Sequence, residues 1–335
     1  MTALELPPDP TPSAPSRARA ASLADTTGST ADTVFRLLAV AAGLLVLVIL
    51  ALITYSTTRS AWPAFTKHPT SYFFSTDWRP NQGHFGIVGF AWGSAVISII
   101  GVVLAVPTSV GIALFATEVA PRRLRSTITT VMDLLASVPS VVFGLVGFIV
   151  LKAPLQNLYR SIGDAVAGVP VVRTLFGQGS SGTSLLTAGV VLAIMITPIV
   201  TSVAREVFAT VPRNDKEGAL ALGATRSEMI NGIVIPHSLG GLTGAIMLGL
   251  GRAMGETIAV TLLIGGVSNP DVTLDLFGPS DAMPAGIARY LPEASGDLRP
   301  ALIGMGVVLF LITLLVNVGS RSIIRVIDRR LKGAA

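Results

Sequence analysis

Long apolar runs alternate with short polar connectors along this chain. The runs cover about residues 34–55, 89–117, 128–151, 185–210, 241–266 and 301–319. At 1.5 Å of rise per residue, a helix of about 20 residues crosses roughly 30 Å of hydrocarbon. The pattern therefore predicts an all-α polytopic membrane protein with about six transmembrane helices. Pro107 and Pro198 fall inside two of the runs and are predicted to bend them. The first run is too long for the core of a cleaved signal peptide, and residues 34–56 read as a retained anchor. Residues 1–33 are rich in Pro, Ala, Ser and Thr, and they read as a disordered tail. Between the runs lie polar loops at 57–88, 152–183 and 267–299. Trp62, Tyr72 and Trp78 in the first loop suit the membrane–water boundary, and residues 177–182 in the second read as flexible.

Composition supports a membrane protein. The 335 residues are 51% hydrophobic and 13% charged, with a mean hydropathy of +0.70, whereas soluble domains carry about 25% charged residues. A net charge of +5 comes from basic residues beside the apolar runs, where they act as orientation signals and form no nucleic-acid surface. About six spans put the N-terminal tail, Arg122–Arg123–Arg125, Arg213 and Arg226 on one side, together with a basic tail at 321–335. That side is expected to be the cytoplasm, so both termini are expected there. The loop at 267–299, with Asp271, Asp275, Asp281, Glu293 and Asp297, falls on the other side. The absence of cysteine excludes disulfides and thiolate metal sites. His68, His84 and His237 lack ligand spacing, so no metal site is expected. No GxxxxGK[ST] phosphate loop occurs, so a separate ATPase subunit would have to bind ATP and Mg.

One polar island interrupts the membrane pattern. Residues 217–236 run from Glu217 through Gly218, Ala219, Gly223, Thr225 and Glu228 to Pro236. Gly223 suits the left-handed turn that ends one short helix. Thr225 with Glu228 three residues later forms a capping box for a second, and Pro236 is expected to stop it. The order of these residues resembles the coupling loop of ABC importer permeases, the surface that docks on an ATP-hydrolysing subunit.

The fifth run carries Arg252 and Glu256 near its middle. Each charge costs about 2.5–3.5 kcal/mol at a helix centre. Four residues apart on a continuous helix they share one face and neutralise each other. The acid-first order would be the more stabilising one, and apolar residues would serve pure packing as well. A functional reading follows: the guanidinium is a planar fork for an oxyanion, screened by Glu256 until the anion arrives. Thr257 adjoins the pair, while Gly249, Gly251 and Gly255 leave room for close helix approach or for an unwound stretch. Ser137, Pro139 and Ser140 either open a local break lining a path or hydrogen-bond to their own helix. Thr197, Thr201 and Ser202 read as helix–helix contacts, and Asp133, Arg205 and Glu206 as snorkelling charges near the cytoplasmic ends.

Three further segments resemble one family. Trp78-Arg79-Pro80-Asn81 with Phe85-Gly86-Ile87, the stretch from Leu135 through Pro139-Ser140-Val141-Val142-Phe143-Gly144, and Gly251-Arg252-Ala253-Met254-Gly255-Glu256-Thr257 look like the PstC-type permease of phosphate-specific ABC importers. The resemblance covers about residues 34–325, with Gly218 departing from the usual alanine of the coupling motif. It implies the type I ABC importer permease fold, with a permease core at 89–320. It also implies a pseudo-symmetric heterodimer with a homologous second permease (PstA-like), two ATPase subunits (PstB-like) and an extracytoplasmic phosphate-binding protein (PstS-like). The expected function is ATP-driven phosphate import across the bacterial inner membrane. Arg252 suits other oxyanions such as sulfate, molybdate or a phosphonate equally well. An ion-coupled secondary transporter should show an internal repeat, and the sequence shows none.

Overall fold

The computed structural model describes residues 30–67, 69–166, 168–177 and 181–333. The predicted tail up to residue 29, His68, the centre of the 177–182 stretch and the side chains from Ser320 onward apart from Ser322 lie outside what is described. Residues 30–33 already belong to the first helix, α1 (Thr30–Lys67). Up to Ser56 this helix forms a unit of its own. Its described side chains there are all exposed. A helix that is apolar all round and covered by nothing suits lipid.

The second unit begins at Thr57. After α1 come α2 (Pro69–Phe74) and a two-stranded hairpin, β1 (Trp78–Arg79) with β2 (His84–Phe85), in which Trp78 pairs with Phe85. Gly83, at φ 77°, closes the tight turn between them. α3 (Val88–Leu114) runs on through a π-helical turn, Phe115–Val119, and α4 (Arg122–Ser137) follows. A continuous helical stretch then comprises α5 (Ser140–Val146), a π turn at Gly147–Leu151 and α6 (Lys152–Val166). α7 (Pro170–Leu175) leads to α8 (Leu185–Ala209).

Among the described residues, six helical stretches are long and apolar enough to span a membrane: Asp32–Lys67, Val88–Val119, Ser140–Val166, Leu185–Ala209, Arg226–Gly255 and Leu298–Gly319. The number matches the expectation, but the first stretch runs on to Lys67, into the expected loop at 57–88, and two others are displaced. The third was expected over 128–151. Instead α4 stops at Ser137, because the residue before a proline is pushed out of the helical region. Val138 is extended at ψ 128° and Pro139 at ψ 140°. The helix restarts at Ser140 and continues into the expected loop at 152–166. The fifth was expected to begin near 241 and to be preceded by a stop at Pro236. It begins at Arg226 instead, and Pro236 sits inside a continuous helix. Proline has no N–H and its ring crowds the carbonyl four residues back, here Gly232. That residue lies within a π turn, Ile230–Val234, where the Ile235 N–H reaches back to the Ile230 carbonyl. The wider turn accommodates the ring, so the helix passes through.

α8 is the central element. Leu185, Ala188 and Val191 pack with Ile97 of α3 and with Val260, Leu263 and Ile264. One turn further along, Leu192, Met195 and Ile196 pack with Ala105 and Ala253. Without a hydrophobic drive inside lipid, such packing relies on close approach of small residues. A Cβ at Gly189 would fall 2.5 Å from Ile100.

On the side of the hairpin, Tyr72, Trp78, Ile87, Phe90, Met283, Ala301, Leu302 and Met305 form a second core. Tyr72 and Trp78, expected at the membrane boundary, are thus buried, and the Tyr72 hydroxyl donates to the Ala301 carbonyl at 2.7 Å. Trp62 alone of the three is exposed. The chain between residues 264 and 297 folds back over the helix ends. It contributes α13 (Met283–Tyr290), which follows α9 (Arg213–Ala221), α10 (Arg226–Met229), α11 (Ile235–Gly255) and α12 (Ile258–Leu263) in the chain. Asp281 is fully buried there, accepts from the Ala282 N–H at 2.9 Å and pairs with Arg289. The last helix, α14, is Leu298–Gly333.

Gly93 of α3 carries this crossover. A Cβ there would lie 1.9 Å from the Asp281 carbonyl oxygen. Gly93→Val is expected to lower stability in detergent by about 2 kcal/mol or more. Gly111→Ala, with nothing within 4 Å of its Cβ, should leave melting unchanged. Equal melting temperatures for the two variants would contradict this packing. Burial pushes the Asp281 carboxyl up from 3.8 to about 6, against the opposing attraction of Arg289. A carboxyl raised in the folded state adds stability below its unfolded pKa, and that stability is lost as pH rises through the folded value. Stability should therefore fall between about pH 4 and 6 and level off above. Asp281→Asn should remove that fall, and parallel pH–melting curves would refute the assignment.

Candidate functional site

Two regions carry the chemistry read from the sequence. The first is the polar island. α9 (Arg213–Ala221) starts after Pro212 and ends in a turn where Gly223 sits at φ 91°. Its N–H donates to the Leu220 carbonyl at 3.1 Å. α10 (Arg226–Met229) begins with the predicted capping box. The Thr225 hydroxyl accepts from the Glu228 N–H at 3.3 Å, and the Glu228 carboxylate accepts from the Thr225 N–H at 2.8 Å. Glu217, Gly218, Gly223, Thr225 and Pro236 are exposed, and Leu222 is 92% exposed. Ala219 alone of the named knob residues turns inward, against a core of Ala113, Phe208, Val211, Met229, Val234 and Leu242. Nothing lies within 4 Å of a Cβ placed on Gly218, so packing does not demand a glycine there. The island is a folded protrusion, as expected, but it is fused at its far end to the next span.

That span is α11 (Ile235–Gly255). It stops at Glu256, whose backbone is extended at φ −70° and ψ 125°. Helix resumes as α12 (Ile258–Leu263). The break corrects the expected pairing of Arg252 with Glu256. Side chains four apart meet only on a continuous helix, and here the helix ends between them. Among the described residues no carboxylate lies within ion-pair distance of Arg252. Arg252 is exposed on the last turn of α11, where the negative end of the helix dipole favours a cation. Glu256 is buried and turns to the restarted helix, its carboxylate 3.5 Å from the Ala259 N–H. Thr257 is half-buried and its hydroxyl donates to the Gly255 carbonyl at 3.2 Å.

The second break is the one at Val138–Pro139. Ser137 is exposed and donates to the Leu134 carbonyl at 2.7 Å; Ser140 is half-buried in the first turn of α5. The helix does break here, and Ser137 bonds to its own helix as well, so the hydrogen bond does not prevent the break. The two restarted helices pack on each other, since a Cβ at Gly144 would lie 2.7 Å from the Ala259 Cα. The fold thus brings the Ser140 and Glu256 regions to one seam.

Arg252 belongs to a longer feature. His237, Gly240, Gly244, Leu248, Arg252 and Gly255 are all exposed at steps of three or four residues, so they form one uncovered stripe along α11. Of the predicted helix–helix hydroxyls, Ser202 reaches Asp133 of α4 at 3.3 Å and Thr197 bonds within α8 to Ala193 at 2.7 Å. Asp133 thereby meets a neighbouring helix as well as the surface. Sequence reasoning missed the pairs Asp281–Arg289 and Lys216–Glu118, the latter at 2.6 Å. Separations of 8 and 98 residues left no periodic signal for either.

Comparison with known proteins bears on this geometry. A permease chain from a bacterial ABC transporter that imports the acidic polysaccharide alginate superposes with a TM-score of 0.57 at 14% identity, covering 88% of this chain and 97% of that one. The inward-facing MetNI methionine ABC transporter superposes with a TM-score of 0.53 at 14% identity, over 72% and 95%. These establish the type I permease fold. The phosphate transport system permease protein PstC of Mesorhizobium japonicum is 38% identical over 301 residues, 89% of this chain and 91% of its own. PstC of Xylella fastidiosa is 39% identical over 302 residues, 90% and 92%. PstC 2 of Mycobacterium tuberculosis is 39% identical over 300 residues, 87% and 91%. Residues 109–333, which include the knob and both helix breaks, match the family of binding-protein-dependent transport system inner membrane components. The chain belongs to that family, in its PstC-type branch.

Proposed function

We propose that this chain is the permease subunit through which an ATP-driven importer moves inorganic phosphate across the bacterial inner membrane, with both termini in the cytoplasm. The observation that carries the reading is the exposed, unpaired Arg252 inside a membrane span of a PstC-type chain. A guanidinium left facing lipid would cost up to about 2.5–3.5 kcal/mol, the value at a helix centre. The stripe around it therefore faces water or protein. A homologous PstA-like permease seated along Gly240, Gly244 and Leu248 would bury the small-residue part and leave Arg252 at the shared path. There the planar fork binds phosphate oxygens. Glu256 shapes the break that ends α11 beside the arginine and leaves the cation unscreened. Ser137, Ser140 and Thr257 lie at the two breaks and line the same path. Irregular backbone at this depth is tolerated only where protein or water surrounds it.

The chain carries no phosphate loop of its own. Two PstB-like ATPases that bind ATP and Mg dock on Glu217, Gly218, Ala219 and their neighbours, and a PstS-like receptor delivers phosphate from outside. The unbroken helix from Arg226 to Gly255 joins the knob to Arg252. A displacement at the ATPase thus reaches the path along one rigid rod.

The test is phosphate uptake into proteoliposomes holding the whole complex. Arg252→Gln is expected to lower ATP-dependent uptake by about tenfold, equivalent to roughly 1.4 kcal/mol, while the partners still co-purify. Sulfate uptake measured in parallel separates phosphate from other oxyanions. Gly223→Val places a β-branched residue at φ 91° and should leave ATP hydrolysis running without transport. Wild-type uptake by the Arg252 variant, or uptake without any ATPase, would defeat the proposal.

A further inference from the structure

The knob needs a mechanical attachment, and the structure supplies an unusual one. Along α9 every residue except Lys216 and Ala219 is exposed. A methyl group gives little lateral grip. Lys216 lies about 100° around the helix from its neighbour Glu217, on a different face. Its ammonium meets the Glu118 carboxylate at 2.6 Å, with the two side chains only 16% and 9% exposed. The same ammonium donates to the Phe208 carbonyl, 3.3 Å away in the last turn of α8.

Glu118 stands in the π turn that ends α3. The Ala120 N–H reaches back five residues to the Phe115 carbonyl at 2.8 Å. In the same turn the Thr117 carbonyl accepts from the Arg125 guanidinium of α4. π turns inside α-helices recur at functional positions. Here the turn gathers α3 and α4 with the knob, and the ammonium adds α8. Four helices meet around one half-buried charge pair.

We propose that the Lys216–Glu118 pair is the joint that orients the knob and passes its displacement to α3 and α8, making Lys216 and Glu118 positioning residues for transport. The proposal rests on the coupling role given to residues 217–236 above. An apolar seam can slide, because its contacts are non-directional. A half-buried ion pair with an added backbone acceptor is directional, and breaking one side leaves a poorly solvated charge unpaired. A push on the exposed face of α9 is therefore carried sideways into the ends of two central helices as well as along α11.

The experiment uses the complete transporter in proteoliposomes and reads phosphate moved per ATP hydrolysed. K216M and E118Q should each lower that ratio roughly 2- to 30-fold, with the ATPases still co-purifying. The charge-reversed variant K216E/E118K should recover much of the loss, because the pair is rebuilt with its ends exchanged. Wild-type ratios in both single variants would overturn the joint, as would a charge-reversed variant no better than the singles. Loss of the ATPases from the purified K216M complex would overturn it too, since that makes Lys216 part of the docking surface. If Gly223→Val uncouples the complex and K216M does not, the joint alone fails. If neither does, the coupling role of the knob fails with it.

Discussion

Backbone groups inside a bilayer must find partners within the protein, because hydrocarbon offers none. The rest of this architecture depends on that constraint. The helical path breaks twice, at Val138–Pro139 just before the third span and at Glu256–Thr257 just after the fifth. The helices that restart beyond them pack together at Gly144 and Ala259. Each break is thereby supported from one side by its neighbour, and the buried Glu256 carboxylate lies at the edge of hydrogen-bond reach of the restarted helix. The remaining side stays open along α11, where the exposed stripe with Arg252 runs. Broken backbone and an unpaired cation share a physical requirement, a surface that is not lipid.

The knob sits at the opposite end of the Arg226–Gly255 helix from the break at Glu256. It is polar, capped and turned outward, yet it belongs to the same continuous helix that ends at the break. Pro236 decides how stiff this connection is. A proline that ended the helix would have made a hinge between knob and span. The π turn before it widens the backbone instead and keeps the rod whole.

On the side of the hairpin the packing is aromatic and dense, with Trp78 edge-on to Phe90 at 5.1 Å. The chain that folds back over the helix ends is tied to α8 by the Leu186 N–H to Leu276 carbonyl bond, at 2.9 Å. It is pinned further by the Asp281–Arg289 pair. Acidic residues that looked like a solvated loop thus include one that is fully buried. The cost of burying it is offset by Arg289 and by the N–H of Ala282 at the start of α13.

Local order was legible in the sequence because its causes are local. Apolar runs of bilayer length made the six spans, and Gly223 with the Thr225–Glu228 box shaped the knob within a few residues of itself. Pro139 contained its break, since a proline acts on the residue before it. Tertiary structure decided the rest. Whether Arg252 and Glu256 shared a face depended on where α11 ended, which spacing alone does not fix. Tyr72 and Trp78 went inside because Ala301, Met305 and Phe90 arrived to cover them. Lys216 found Glu118 across 98 residues because α3 and α8 pack in register and bring their ends to one point. Capping and periodicity act over one or two turns, whereas the pairing of distant charges is set only when whole helices meet.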